Sequence, residues 1–233
     1  MRDTCAAVRL SMLEIIPAVL PQSYEELDES LGRLLHGPRV VQIDTCDGVF
    51  VPTRTWPHHP RDRAHFARIL RGDEGLPYWQ DFDFEVDLMV HAPERHASQW
   101  VAAGVTRILF HARSRHDWAH LKDAVGSTAE IGIAIDLETP YDRLFEYGAR
   151  VDYVQIMGIA RLGVQGAPLD ERVYALIERV RRDFSDGTIQ IDGGVTLENA
   201  RSLIDAGADR LVAGSAILGS GDALSAYRRL TEC

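Results

Sequence analysis

Short runs of apolar residues alternate with longer amphipathic stretches along most of the chain. The apolar runs lie at residues 13–20, 39–44, 82–90, 106–111, 130–136, 151–157, 188–192 and 211–213. Between them, apolar residues recur at helical spacing, as at positions 27, 31, 34 and 35, which indicates amphipathic helices. Strands that alternate with helices form a parallel sheet, and eight such units close into a barrel. The pattern therefore predicts the α/β class and a single (β/α)8 TIM barrel.

Several predicted helices carry residues that typically cap a first turn. Ser23, with Glu26 three residues later, has the form of a capping box before the first helix. Thr139 and Pro140 predict the start of the fifth helix, because proline is favoured at the first helical position. Thr196 is the predicted N-cap of the helix after strand seven.

The last two strands end on turns of small residues. Gly193 and Gly194 follow strand seven, and Gly214 and Ser215 follow strand eight. Turns of this kind expose backbone N–H groups beside a helix N-terminus, which is an arrangement that binds phosphate. In eight-stranded barrels the loops after the last two strands form the usual phosphate site. We therefore expect these four residues to bind phosphate; ordinary turns that use glycine for backbone freedom are the alternative.

Four carboxylates lie at the predicted carboxyl ends of barrel strands, where active sites of such barrels are found. They are Asp44, Asp87, Asp136 and Asp192. Because burying an unpaired carboxylate is costly, this number indicates a role beyond folding. Asp44 and Asp192 lie within apolar runs, where alternation directs their side chains to the barrel axis. For Asp136, which precedes a helix start, a helix cap or a rim ion pair is favoured.

The composition and charge of the chain bear on which classes of partner it can bind. The chain has 233 residues, of which 45% are hydrophobic and 26% charged, with a formal net charge of −10. Because no basic stripe is available to pair with a phosphate backbone, we expect no nucleic-acid partner. Three scattered cysteines do not make a disulfide framework or a zinc knuckle.

No stretch has the apolar length of a signal peptide or a membrane span. The sequence therefore predicts a cytoplasmic protein without a membrane partner. No linker or low-complexity run divides the chain, so we expect one domain over residues 1–233, with residues 1–12 as a leader.

Two motifs resemble those of a known family. Residues 41–52 read Val-Gln-Ile-Asp-Thr-Cys-Asp-Gly-Val-Phe-Val-Pro, which resembles the strand-two signature of ribulose-phosphate 3-epimerases, His-x-Asp followed by Met-Asp-Gly-x-Phe-Val-Pro. Residues 86–90, Val-Asp-Leu-Met-Val, are similar to that family's strand three, where a histidine precedes Leu-Met-Val. The resemblance extends over roughly residues 13–220 and implies a barrel of the ribulose-phosphate-binding type.

The resemblance implies two aspartates on opposite sides of the reacting sugar carbon, one removing a proton and the other returning one. The matching positions are Asp44 and Asp192. A proton next to a ketone is weakly acidic, so an electrophile must stabilise the enediolate. In the family this electrophile is a divalent metal held by two histidines and the same aspartates. Here Gln42 and Asp87 stand at the two histidine positions.

The altered ligand set changes the expected cofactor. A site of two histidines and two aspartates suits zinc, iron or manganese, whereas Gln42, Asp44, Asp87 and Asp192 offer oxygen only, which favours magnesium, calcium or manganese. Three converging carboxylates without a cation would repel one another. We therefore expect a divalent metal, with Mg or Mn favoured over Zn or Fe; a site without metal is the alternative.

Further departures affect the substrate pocket. The loop after strand six, which in the family closes over the substrate phosphate, reads Ala-Arg-Leu-Gly-Val-Gln-Gly at residues 160–166. Gly166 retains a backbone N–H for phosphate, and Arg161 is either an added positive charge for it or a solvated loop residue. The predicted substrate wall consists of Cys46, Met89, Met157 and His111. His111 is also a candidate substitute ligand or proton shuttle.

Three functions remain open at this point. The favoured one is an isomerase similar to ribulose-phosphate 3-epimerase that moves a proton next to the carbonyl of a phosphorylated ketose. The second is a magnesium-dependent sugar-phosphate lyase or decarboxylase of a related barrel. The third is a non-catalytic barrel that binds a phosphorylated ligand. By analogy with the family, we expect a homo-oligomer.

Overall fold

The computed structural model describes residues 13–147 and 150–233, so the predicted leader lies outside the described residues. Eight parallel strands form a closed barrel in which each strand pairs with the next along the chain and the last pairs with the first. This confirms the predicted (β/α)8 TIM barrel. The strands are β1 (Glu14–Val19), β2 (Val40–Cys46), β3 (Asp83–Met89), β4 (Arg107–His111), β5 (Glu130–Ile135), β6 (Tyr153–Met157), β7 (Thr188–Asp192) and β8 (Arg210–Ala213).

Helices follow the strands and form the outer layer. They are α1 (Tyr24–Gly32), α2 (Arg63–Leu70), α3 (Glu94–Ala102), α4 (Trp118–Val125), α5 (Asp142–Tyr147), α6 (Arg172–Asp183), α7 (Leu197–Ala206), α8 (Ser215–Leu218) and α9 (Ala223–Thr231), with a 3-10 turn at Pro60–Asp62. No helix in residues 13–147 and 150–233 is both long and apolar enough to span a membrane.

Alternation along the strands separates an apolar layer from a polar interior. The outward side chains, such as Ile43, Val86 and Phe110, are fully buried in the core between the barrel and the helices. The inward side chains include unusually many polar groups. Register pairs Gln42 with Glu85 across β2 and β3, and both side chains have no exposed surface. The barrel interior is therefore a polar layer beneath the strand ends.

The predicted caps meet with different outcomes. The side chain of Ser23 caps α1 by accepting from the N–H of Glu26, as expected. The N-cap Thr196 forms its capping box with Asn199. The predicted start of the fifth helix is wrong, since α5 begins at Asp142. The Thr139 hydroxyl instead donates to the carboxylate of Asp136 over 2.7 Å. This hydrogen bond holds Thr139 beside the end of β5.

Candidate active site

Three aspartates meet at the carboxyl end of the barrel. Asp44 and Asp87 are register partners on β2 and β3, and Asp192 ends β7. Each offers one carboxylate oxygen, and the three oxygens lie within 4.8 Å of one another. Ligand oxygens lie about 2.0–2.6 Å from a bound magnesium or calcium ion, so a single hard cation fits between them. All three side chains are buried, and they are three of the four cation-ligand candidates that the sequence predicts.

Gln42 lies against two of these carboxylates through its amide nitrogen. The Nε2 atom donates to Asp44 Oδ1 over 2.8 Å and to Asp192 Oδ2 over 2.9 Å. In this arrangement the amide nitrogen of Gln42, rather than its oxygen, faces the carboxylates, and the role of Gln42 as a ligand stays a prediction. Gln42 acts here as a hydrogen-bond donor to the predicted acid and base.

Sequence reasoning missed a second layer of buried polar side chains. Gln155 Nε2 donates to Asp192 over 3.2 Å and to Asp87 over 3.4 Å. Below it, Gln190 Nε2 donates to Gln155 Oε1 over 2.7 Å and to Glu85 Oε1 over 2.6 Å. A signal for these residues was available, since each glutamine precedes an inward-facing strand end by two positions and so shares its face.

His111 lies beside Asp87 rather than among the cation ligands. Its Nε2 atom is 2.9 Å from Asp87 Oδ1, and the side chain is buried at the end of β4. The ring of Phe50 packs against the imidazole, with centroids 5.1 Å apart. His111 can therefore orient Asp87 through a hydrogen bond, in the way that groups behind a metal ligand commonly do.

Burial controls the protonation of the carboxylates. Burial, followed by repulsion from Asp192 and Asp87, raises the pKa of Asp44 well above its usual range. Burial and repulsion from Asp87 raise the pKa of Asp192 to about 7, although the amide of Gln42 opposes the shift. Without a cation, protons are therefore retained in this cluster near neutral pH.

One narrow cavity joins the carboxylates to the glycine turns. Its volume is about 40 Å³. Both Asp44 and Asp192 line it, and so do all of the predicted phosphate-binding residues: Gly166, Gly193, Gly194, Gly214 and Ser215. The structure thus brings together the predicted acid–base pair and the predicted phosphate turns.

The turn after β7 requires glycine at both positions. Gly193 and Gly194 have φ of 97° and 73°, a conformation that L residues with side chains seldom adopt. A Cβ atom on Gly194 would lie 2.5 Å from the backbone nitrogen of Leu169. The tight turn is packed directly against the segment before α6.

The loop after β6 covers this cavity. The Thr53 hydroxyl donates to the carbonyl of Gly163 over 2.7 Å, which joins it to the loop after β2. The amide of Gln165, which sequence reasoning did not single out, donates to the carbonyl of Ala18 over 3.3 Å. Arg161 on the same loop is exposed and is not among the described residues that line the cavity.

The predicted substrate wall divides into two groups. Met89 and Met157 line the cavity, whereas Cys46 and His111 are not among the described lining residues. The Cys46 sulfur lies 4.0 Å from the sulfur of Met89, and burial raises the pKa of its thiol. Cys46 is therefore a neutral packing group behind the wall.

Asp136 is separate from the aspartate cluster. Its carboxylate accepts from Arg113 over 2.6 Å at the rim of the barrel. The expectation of a cap or a rim ion pair is confirmed for the ion pair.

Comparison with known proteins gives the same family as the sequence motifs. The sequence profile of the ribulose-phosphate 3 epimerase family matches residues 14–218. The ribulose-phosphate 3-epimerase of Treponema pallidum is 32% identical, over 87% of this chain and 89% of its own. The chloroplastic ribulose-5-phosphate-3-epimerase of Arabidopsis thaliana is 29% identical, over 94% of this chain and 77% of its own.

Solved structures agree in fold. The 3-hexulose-6-phosphate synthase of Salmonella typhimurium superimposes with a TM-score of 0.68 at 12% identity, over 94% of this chain and 97% of its own. KGPDC from Streptococcus mutans gives a TM-score of 0.70 at 10% identity, over 95% of this chain and 96% of its own. At such identities the likeness concerns the fold alone. The match of the family profile and the relative from Treponema pallidum together establish that this chain belongs to the ribulose-phosphate 3-epimerase family.

Proposed function

We propose that this protein is a sugar-phosphate epimerase that moves the proton next to the carbonyl of a phosphorylated ketose. The observation that carries the proposal is the shared cavity, because it places Asp44 and Asp192 beside five residues suited to bind phosphate. The curated relatives are ribulose-phosphate epimerases, which makes D-ribulose 5-phosphate the first substrate to test.

In this mechanism, one of the two aspartates removes the proton and the other supplies one on the opposite face. Proton transfer of this kind needs one carboxyl ionised and one protonated. When no cation is bound, burial and repulsion from neighbouring carboxylates raise the pKa of both groups, so each can hold a proton closer to neutral pH than an exposed aspartate can; a bound cation would lower both pKa values. Backbone N–H groups of the glycine turns would hold the phosphate and so fix the sugar carbon between the carboxylates.

A hard divalent cation completes the proposed site. Asp44, Asp87 and Asp192 would hold it, and their oxygen-only set favours magnesium or manganese over zinc or iron. When bound, the cation stabilises the negative charge that develops on the substrate oxygens. The protein positions its ligands through the hydrogen bonds of Gln42, Gln155 and His111.

The position of the lysine argues against one form of lyase, the Schiff-base aldolase. The only lysine of the sequence is Lys122, which is exposed on α4 and does not line the cavity. A covalent mechanism of that class needs a lysine at the reacting carbon. The position of Lys122 away from the cavity also argues against a decarboxylase that combines aspartates with a lysine.

Deuterium exchange tests the proposal. The protein is incubated in D₂O with a panel of ketose phosphates led by D-ribulose 5-phosphate, with Mg²⁺, Mn²⁺, Zn²⁺ or EDTA. We expect deuterium next to the carbonyl, loss of exchange in Asp192→Asn and retention in Asp28→Asn, a control on the exposed face of α1. If no sugar in the panel exchanges its proton under any metal, the epimerase proposal is overturned.

The cytoplasmic location and the homo-oligomer stay predictions. Fractionation of the cells and the mass of the purified protein in solution test them.

A further inference from the structure

One buried amide connects the two aspartates of the proposed acid–base pair. Asp44 lies on β2 and Asp192 on β7, with two strands between them. The amide nitrogen of Gln42 donates to both, over 2.8 and 2.9 Å. An amide NH₂ group has two hydrogens, so each can serve one carboxylate. A single side chain therefore fixes both carboxyl groups at once.

The direction of this amide is determined one layer deeper. Gln190 Nε2 lies 2.6 Å from Glu85 Oε1, 2.7 Å from Gln155 Oε1 and 3.4 Å from Gln42 Oε1. Reversing the Gln190 amide would place its oxygen against these three acceptors. The nitrogen of Gln190 therefore faces them, and both neighbouring glutamines turn their oxygens down to Gln190 and their NH₂ groups up to the aspartates.

A rotation that exchanged the oxygen and the NH₂ group of the Gln42 amide would create an unfavourable contact on each side of it. Its oxygen would then lie against the carboxylate oxygens of Asp44 and Asp192, and its NH₂ group would face the NH₂ group of Gln190. Gln42, Gln155 and Gln190 have no exposed surface, so water cannot compensate for either contact. In buried networks an unpaired donor or acceptor is costly, because the lost hydrogen bond is not replaced.

We propose that Gln42 and Gln190 are positioning residues that hold Asp44 and Asp192 for proton transfer. Gln190 determines which way the amide groups of Gln42 and Gln155 point. Gln42 in turn donates one hydrogen bond to each of the two carboxylates. We call the two hydrogen bonds from Gln42 to Asp44 and Asp192 the clamp. Because they use the amide nitrogen of Gln42, the cation ligands in this proposal are Asp44, Asp87 and Asp192, although Gln42 stands where the family has a histidine ligand. The kinetic part of this inference rests on the proposed function; the cation-binding part does not.

The test compares Gln42→Met and Gln190→Met with the wild-type protein. Methionine keeps the length of glutamine but cannot donate these hydrogen bonds. Gln80→Met is the matched control, because Gln80 is exposed. Thermal unfolding establishes that each variant is folded. Should Gln42→Met fail to fold, Gln190→Met still tests the layer, since the hydrogen bonds of the Gln190 amide go to Gln42, Glu85 and Gln155 rather than to the aspartates.

Two quantities are measured: the affinity for Mn²⁺, by titration followed by electron paramagnetic resonance, and kcat and KM for epimerisation. Loss of a group behind a metal ligand typically weakens metal binding or activity about 10–100-fold. We expect a loss of that size in Mn²⁺ affinity and in kcat for both variants. KM should change by less than about twofold, because the phosphate turns are untouched, a pattern that a general loss of structure would not give.

The outcomes separate this inference from the proposed function. Unchanged Mn²⁺ affinity and kcat in both folded variants overturn the inference while the wild-type epimerisation stands. An effect confined to Gln42→Met overturns the role of Gln190. Weakened Mn²⁺ binding in both variants of a protein that exchanges no ketose proton supports the clamp and overturns the epimerase. A wild-type protein that neither exchanges protons nor binds Mn²⁺ overturns both.

Discussion

Glu85 and Gln190 meet inside the barrel, where Gln190 Nε2 donates to Glu85 Oε1 over 2.6 Å. Both side chains are fully buried, and they come from β3 and β7. Burial raises the pKa of Glu85 to about 7, although the hydrogen bond from Gln190 opposes the shift. The carboxyl group that orients the glutamine layer thus binds a proton more tightly in the folded protein than in the unfolded chain.

This pKa predicts how stability depends on pH. Because the folded pKa of Glu85 exceeds its ordinary value of 4.5, its contribution to the free energy of unfolding is full below about pH 4.5. That contribution is lost as the pH rises toward and through the folded pKa of about 7. The loss is on the order of 3 kcal/mol, since one pKa unit corresponds to roughly 1.4 kcal/mol.

The variant Glu85→Gln should remove this loss, so that its unfolding free energy changes less between about pH 5 and 8 than that of the wild-type protein. Urea titrations at several pH values measure it. Equal pH slopes for the two proteins would show that Glu85 titrates normally in the folded state.

We expect Gly194 to be needed for phosphate binding for two reasons: its backbone conformation and its close approach to Leu169. Gly194→Ala would place Cβ 2.5 Å from the backbone of Leu169, whereas Gly72 has a similar φ of 74° with nothing within 4 Å. Both substitutions bear the cost of a left-handed residue, roughly 1–2 kcal/mol. Only Gly194→Ala should also weaken the affinity for inorganic phosphate, by at least about tenfold, as measured by calorimetry. Equal phosphate affinities in the two folded variants would contradict the phosphate turn.

The small volume of the cavity predicts that the loop after β6 opens. Ligand pockets typically have about 300–1,000 Å³, whereas this cavity has about 40 Å³. Thr53→Val removes the hydrogen bond to Gly163, worth about 1 kcal/mol net. Backbone amides of residues 158–168 should therefore exchange with solvent deuterium about fivefold faster.

Thr106→Val is the control for that experiment, because the Thr106 hydroxyl also donates to a backbone carbonyl, that of Phe84. If both variants leave the loop exchange unchanged, Thr53 does not hold the loop closed.

The ligand set predicts a change of metal preference. Gln42→His combined with Asp87→His restores the two histidines that the family places at these positions. Imidazole ligands favour zinc over magnesium, so the ratio of Zn²⁺ to Mg²⁺ affinity should rise at least about tenfold. Competition calorimetry measures the ratio, and His91→Gln, at an exposed histidine, serves as control. An unchanged ratio would place the cation away from residues 42 and 87.

The sequence was sufficient to predict where the carboxylates lie in the barrel. It was insufficient to predict which way the neighbouring amide group points. Alternation predicted that Asp44 and Asp192 face the axis, whereas the place of Asp87 beside them was implied by the family resemblance. The orientation of the Gln42 amide did not follow from the sequence, because it depends on Gln190, which is 148 positions away in the chain. The start of α5 was mispredicted for a related reason: the Thr139 hydroxyl binds Asp136 instead of capping the helix.

The isotopic content of substrate and product during the first turnovers in D₂O tests the two-aspartate mechanism most directly. If Asp44 and Asp192 act on opposite faces, the product epimer carries one deuterium next to the carbonyl while the unreacted D-ribulose 5-phosphate carries none. NMR or mass spectrometry of early time points distinguishes the two. Product that retains the original hydrogen, or equal labelling of substrate and product from the start, would mean that a single group moves the proton.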